Sequence, residues 1–523
     1  MSEFEDKLDN LVKASIPVVH VVTYEWQRLY GFSVGIANEH GLDLYTWSFT
    51  SGLKKWDSAS MKFTEEQNDL DPIGVLEWFK NEDIKKSILI LEDFQHFVSD
   101  GEFQVIRMIR ELCRVEPKLH KTLVIQTSFL VHVREFEKEV PLLELELPQD
   151  ETLEAVLDNC IKDLHYDCKP DNDDKKEIVS ASKGLSIMEA EWSYKKIIAL
   201  KDRLTKYEIP LIVEEKEQII KKSGVLEYFH PQGDFSEVGG MDNLKEWLDK
   251  RGKAFTKDAK DFGLVSPKGV MLLGIPGCGK SLVSKTIANE WQLPLLKFDL
   301  GKVFGSLVGE SESRMREALA LAEAISPSIL WIDEIEKGLS GVNSDGDSGT
   351  SAKVFGTLLT WMQERKQEVF VIATANNIDK LPPELSRKGR FDEVFFVDLP
   401  SVKERETIFK IHIIKRERDV TRFDIKELSR LSNGYSGAEI EEAVNEGLFI
   451  AYGNGRELET IDIEQAIKET VPLSRIKEGE VKYLRDWAKV RARFASTEES
   501  EPLPEYKEKI PTLSQEKHNP FVK

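Results

Sequence analysis

The sequence predicts an α/β protein in two halves, the second carrying a phosphate-binding loop and the first a further α/β domain. The apolar run Val270-Met271-Leu272-Leu273 leads into Gly274-Ile275-Pro276-Gly277-Cys278-Gly279-Lys280-Ser281, which opens a helix. Two later apolar runs, residues 328–332 and 369–374, end in polar residues suited to work beside that loop. Near the start of the chain, β-rich runs alternate with helical stretches, the pattern of α/β layering.

Residues 1–205 are read as the N-terminal α/β domain. Its strands are expected at residues 18–23, 44–47, 88–91 and 123–127, runs of β-branched and apolar residues with helical stretches between them. The third is followed by Glu92-Asp93 and the fourth ends in Gln126-Thr127, like worn versions of the polar strand ends downstream. After the first strand, Thr23-Tyr24-Glu25-Trp26 holds no glycine and no lysine. The domain therefore reads as a degenerate, nucleotide-free copy of the downstream fold, kept for binding or regulation. The alternative is an unrelated α/β domain whose strands end in acids. Residues 206–233 are charged but periodic, which predicts a helical connector.

The loop at 274–281 has a physical logic. Gly274, Gly277 and Gly279 lack a Cβ, so the backbone can turn successive N–H groups toward a polyphosphate. Lys280 supplies a point charge for the β/γ-phosphates and Ser281 a hydroxyl for Mg²⁺. Asp333 and Glu334 follow the second apolar run: Asp333 is suited to hold Mg²⁺ through water, and Glu334 to polarise the water that attacks the γ-phosphate. Asn376, at the end of the next strand, can position that water. Arg387 and Arg390 lie beyond it and read as arginine fingers delivered to a neighbouring subunit's ATP, the alternative being ion pairs with Asp392 and Glu393. Trp331 reads as core packing. Cys278 is a small residue at a permissive loop position, with oxidative blocking of the loop as the sharper alternative.

Residues 235–471 resemble the AAA+ ATPases of the AAA clade, the group that includes FtsH, katanin and spastin. The likeness is carried by the segments already quoted and by F-S-E-V-G-G-M (235–241), I-F-K-I-H (408–412) and N-G-Y-S-G-A-E-I (433–440). Together with V-G-E-S-E-S-R, L-W-I-D-E-I-E-K, A-T-A-N-N-I, L-P-P-E-L-S-R-K-G-R-F-D and L-R-D-W-A-K-V-R-A-R-F-A-S, the pattern is similar to the conserved hypothetical chloroplast reading frame forty-six family over residues 10–496.

The resemblance implies a large ATPase subdomain at 234–400, a helical lid at 401–475 and a C-terminal helix at 476–496. It implies nucleotide contacts from Val238, Gly239, Gly277, Cys278, Gly279, Lys280, Ser281, Leu282, His412, Gly437 and Ala438, the last two standing where other AAA+ groups carry an arginine. The implied cofactors are ATP and Mg²⁺, and the implied assembly is a homo-oligomeric ring, a hexamer, acting on an unidentified protein client with a suggested link to photosynthesis or carbon use. Threading relatives place an aromatic before the V-G-E-S-E turn; here Leu307 stands there, with Phe304 a turn earlier, which weakens a pore-threading reading. Residues 337–350, rich in Gly, Ser and Asp, fall where related hexamers carry a second pore loop.

Composition bounds the remaining classes. The 523 residues suit two to three domains, and the net charge of −21 disfavours a nucleic-acid partner. The four cysteines are too scattered for a disulfide framework; Cys160, His165 and Cys168 make a poor metal set, lacking a fourth ligand. The N-terminus resembles no targeting segment and no run is long enough to span a membrane, so no membrane insertion is expected and a cytoplasmic or plastid-stromal protein is. No H-E-x-x-H occurs, which separates the chain from FtsH-type proteases. Tyr483, Leu484, Trp487 and Val490 recur at helical spacing, predicting a terminal helix docked on the ATPase core. The tail 497–523 is expected to be disordered. Two functions fit: an ATP-hydrolysing remodeller of a protein partner, or an ATP-gated assembly switch with slow hydrolysis.

Overall fold

The computed structural model describes residues 3–98, 102–114, 116–131, 133–222, 224–229, 233–255, 257–304, 310–338, 348–365, 367–386, 389–498 and 500–502. Leu307, Arg387, most of the loop 337–350 and the tail from 503 lie outside the described residues. The chain divides into two compact units, residues 1–219 and 220–523.

In the first unit, seven strands form one sheet: β1 (Val18–Val22), β2 (Asp43–Ser48), β3 (Gly52–Asp57), β4 (Lys62–Gln67), β5 (Ser87–Leu91), β6 (Lys121–Thr127) and β7 (Leu142–Glu144). Their order is β4-β3-β2-β5-β6-β1-β7. β1, β2, β5, β6 and β7 pair in parallel, while β2, β3 and β4 form an antiparallel meander at one edge. β5 and β6 are buried along their whole length, as near-continuous apolar strands covered on both faces must be. The sheet is followed by the helices Asp150–Ile161, Asn172–Ser182, Ile187–Lys201 and Ile209–Lys222. Ser186 starts the third of these with a reciprocal cap: its hydroxyl accepts the Glu189 N–H at 3.3 Å, and its own N–H donates to Glu189 Oε2 at 2.9 Å. Ser186→Ala is expected to cost about 1 kcal/mol, read as a lower urea midpoint for the full chain.

The second unit carries β8 (Leu226–Phe229), β9 (Gly269–Gly274), β10 (Leu295–Phe298), β11 (Ser328–Ile332), β12 (Val369–Ala375), β13 (Glu393–Val397) and β14 (Arg493–Phe494), in the order β14-β13-β9-β12-β11-β10-β8. All pairings are parallel except β8 against β10. Helices Val402–Lys415, Ile425–Leu431, Gly437–Gly453 and Thr460–Glu469 follow as a separate cluster around Phe409, Ile413, Leu428 and Val444. Trp331 is buried in β11, edge-on to Phe229 at 5.8 Å.

The two sheets share one plan. Counting β1, β2, β5, β6 and β7 in the first sheet and β9 to β13 in the second by chain order, both read 5-1-4-3-2; in both an antiparallel strand adds to the outer edge of the second, and in the second sheet β14 adds in parallel beyond the fifth. The likeness extends to single residues. Asp93 and Glu334, each the second acid after its third strand, both take a left-handed backbone, with φ of 48° and 49°. Each donates its N–H to the side chain of the penultimate residue of the fourth strand, Gln126 Oε1 at 2.6 Å and Thr374 Oγ1 at 2.9 Å.

The connector reading of 206–233 needs correction: the helix Ile209–Lys222 is present, but Leu226–Phe229 is a strand of the second sheet. The terminal helix runs Glu478–Arg491 and buries Val481, Leu484 and Ala488, whereas Tyr483 and Val490 from the predicted stripe are exposed. Beyond it the chain becomes β14. Of the residues expected as disordered tail, Glu498, Ser500 and Glu501 are instead bonded to the two sides of the turn that joins β13 to the lid helix Val402–Lys415. Asn243 Nδ2 donates to the carbonyls of Phe494 and Ser496, at 3.2 and 2.9 Å. Ser496 Oγ donates to Glu404 Oε1 at 2.6 Å. Glu498 pairs with Lys403, Ser500 with Asp398, and Glu501 accepts from the fully buried Arg405 at 2.9 Å. The segment is polar in composition, yet its polar groups find partners on both sides of that turn.

Candidate nucleotide site

The phosphate loop bridges β9 and the helix Lys280–Trp291. Gly277 and Gly279 have φ of 77° and 88°, which other residues adopt only with strain, and a Cβ on Gly277 would sit 2.8 Å from Ser436 Oγ. The Lys280 side chain is buried, its Nζ donating to the carbonyls of Gly274 at 3.0 Å and Ile275 at 2.8 Å. Burial pushes its pKa down. Ser281 Oγ donates to Asp333 Oδ1 at 3.0 Å, and Thr374 Oγ1 donates to the same oxygen at 2.7 Å.

Thr374 therefore does two things: it fixes Asp333 and it accepts the N–H of Glu334, holding the unusual backbone that turns Glu334 out of the strand. The Glu334 carboxylate accepts from Asn376 Nδ2 at 3.0 Å and pairs with Lys337. Asn376 is itself held from behind, its N–H donating to Glu336 Oε1 at 2.9 Å. Burial raises the pKa of Glu336.

These groups open onto a cleft of about 590 Å³, the size of a cofactor-sized ligand. From the phosphate loop the cleft runs past Gly437 and Ala438 to a mostly apolar end formed by Val238, Gly239, Ile408 and Ile411, with His412 beside them. Leu282 and Cys278 also line it. The Cys278 thiol is buried and its pKa is pushed up to about 12 by that burial, so the reactive thiolate is suppressed. The lid is drawn to the loop by the Ala438 N–H, which donates to the Gly277 carbonyl at 3.0 Å. On the floor, Gly240 (φ 74°) leaves room for Glu404, whose Oε1 accepts the Met241 N–H at 3.2 Å.

The structure thus brings together Val238, Gly239, Gly277, Cys278, Gly279, Lys280, Ser281, Leu282, Asp333, Glu334, Asn376, His412, Gly437 and Ala438 around one cleft. Arg390 is not part of its lining; it donates to the Glu384 carbonyl and makes no ion pair with Asp392, whose carboxylate accepts the N–H groups of Lys268 and Gly269. Sequence reasoning missed Thr374, Glu336, Glu404, Glu441 and Ser496. Thr374 reads as an ordinary strand residue, Glu404 and Glu441 sit in charged stretches with no motif, and Glu336 and Ser496 fall inside quoted segments without any local sign of their role. Among the described residues, Cys160, His165 and Cys168 do not come together as a metal site.

In the first unit, the corresponding turn after β1 is closed by its own side chains. Thr23 Oγ1 accepts the Glu25 N–H at 2.8 Å, and the buried Glu25 carboxylate accepts the Ile187 N–H at 2.7 Å and pairs with Arg28. A carboxylate stands there in place of N–H donors.

Comparison with known proteins agrees with this geometry. Residues 270–399 match the ATPase family associated with various cellular activities (AAA), residues 4–145 the N-terminal domain of SpoVK-like AAA ATPases, and residues 151–223 the second domain of the same proteins. The uncharacterized AAA domain-containing protein ycf46 of Guillardia theta is 40% identical over 495 residues, 93% of this chain and 95% of that protein. Its counterpart in Pyropia yezoensis is 40% identical over 496 residues, 94% of this chain and 99% of that protein. This chain belongs to the ycf46 family of AAA domain proteins. The AAA unit of this ycf46-family protein is also similar to the ATP-dependent zinc metalloprotease FtsH of Karelsulcia muelleri, 35% identical over 255 residues, 47% of this chain and 41% of that one. Membership in an AAA ATPase family supports the cleft as an ATP-binding site. Among the described residues, no helix is long and apolar enough to cross a membrane.

Proposed function

We propose that this protein is a Mg²⁺-dependent ATP hydrolase that works as a hexameric ring and remodels a protein partner engaged by its nucleotide-free first unit. The observation that carries the reading is the Glu334 carboxylate, turned out of β11 by a left-handed backbone and steadied by Asn376 beside the phosphate loop. A fixed carboxylate at that position orients a water and takes its proton. Ser281 and Asp333 offer the hard oxygen donors that Mg²⁺ prefers, and the ion would neutralise charge on the phosphates.

A ring is supported by two features. Arg390 lies away from its own cleft, and with Arg387 it suits delivery to a neighbour's ATP. Phe262 and Val265 on the ATPase sheet unit, and Phe449 and Tyr452 on the lid, are more than two-thirds exposed, as expected of faces buried by another subunit.

The test is the mass of the full chain in solution with and without ATP, measured alongside turnover in the presence of an unfolded polypeptide. Assembly on ATP with turnover that the polypeptide stimulates supports the remodeller. Assembly with almost no turnover, unchanged by polypeptide, overturns it in favour of an ATP-gated switch.

A further inference from the structure

We infer that Glu441 reads the sugar of the bound nucleotide and makes the cleft selective for ribose over deoxyribose. The inference rests on the nucleotide reading of the cleft and adds a specificity residue to it.

Position comes first. Ala438 is bonded to the phosphate loop at Gly277, and Glu441 lies one turn further along the same helix, about 5 Å away along its axis. Both line the cleft. A ligand whose phosphates lie on the loop presents its sugar about that far on, and its base beyond, at the apolar end formed by Val238, Ile408 and Ile411.

The chemistry of the polar groups at that step points the same way. Arg416 anchors Glu441 by donating from Nη2 to Oε1 at 3.1 Å, and is itself fixed by Asn445 Oδ1 at 2.7 Å and the His412 carbonyl at 3.0 Å. Glu441 Oε2 has no protein partner among the described residues. His412 Nδ1 is buried and lies 3.5 Å from Glu441 Oε1, too far for a good hydrogen bond. Lys415, which also lines the cleft, is paired with Glu237 at 2.5 Å.

An oriented carboxylate can only accept hydrogen bonds. Placed along a polyphosphate ligand it is unfavourable unless the ligand offers donors, and phosphates offer none. On a nucleotide the donors at this distance are the sugar hydroxyls. A carboxylate accepting from a ribose diol is a proven solution in dinucleotide sites of unrelated fold.

The experiment is calorimetric titration of the full chain with ATP, 2′-deoxy-ATP and 3′-deoxy-ATP, for wild type, Glu441→Ala and Glu441→Gln. Wild type is expected to bind ATP about tenfold or more tightly than the analogue lacking the contacted hydroxyl. Glu441→Ala is expected to bring that ratio near one by weakening ATP alone, and Glu441→Gln, which keeps one acceptor oxygen, to retain part of it. Equal affinities in wild type, or a ratio that survives Glu441→Ala, overturn the assignment. So does a Glu441→Ala protein that binds all three more tightly, since the carboxylate would then only repel phosphate. A wild type that binds none of the three overturns the nucleotide reading itself. An unchanged melting temperature separates these results from loss of the lid.

Discussion

Glu334→Gln is expected to hold ATP about as tightly as the wild type and to turn it over at least about 100-fold more slowly, the lower end of what a positioned general base contributes. The substitution keeps the shape of the side chain and the acceptor that Asn376 uses, at 3.0 Å, so the fold of the site should survive. It removes the negative charge that draws a proton from water. Among the described residues, the neighbouring acids are otherwise engaged: Asp333 is committed to Ser281 and Thr374, and Glu336 is buried behind Asn376. Steady-state turnover with equilibrium binding on the same sample checks it, and turnover within a few-fold of wild type would remove Glu334 from the chemistry.

Lys280→Ala has the opposite signature: ATP affinity is expected to fall by about 100-fold, at the upper end of what a charged hydrogen bond supplies. The amine is buried, where a charge is costly unless it is paired. Two backbone carbonyls of the loop hold it in place, but they carry no full charge to balance it. An anionic ligand does, so much of the binding energy should depend on this side chain. Fluorescence titration checks the loss, and wild-type affinity in the variant would end the phosphate assignment. Together the two variants separate binding from chemistry at one site.

The parts of the fold that were legible in the sequence are the buried ones. Residues 18–22, 123–127 and 328–332 are runs dominated by β-branched and apolar residues, and they become parallel strands within the sheets. β3 and β4 alternate lysine, glutamate and aromatic residues on an exposed edge, and β7, β8 and β14 are only two to four residues long, so their periodicity is too weak to read. In the site, the phosphate loop and Asp333-Glu334 declare themselves because their chemistry is local in sequence. The floor and the lid do not, because Glu404, Glu441 and Ser496 gain their roles only from partners brought together by the fold. The left-handed backbone of Glu334 is likewise invisible in sequence: a non-glycine residue carries no sign that Thr374, forty residues away, will hold it there.

Residues 496, 498, 500 and 501 tie Asn243 and, on the strand side of the turn, Asp398 to the lid side, at Lys403, Glu404 and Arg405. A lid that swings open must give up bonds on one side or stretch the strap. Lid angle and strap tension are therefore thermodynamically linked, and linkage is reciprocal. A pull on that strap would bias the angle of the lid, and the angle of the lid would in turn bias the strap.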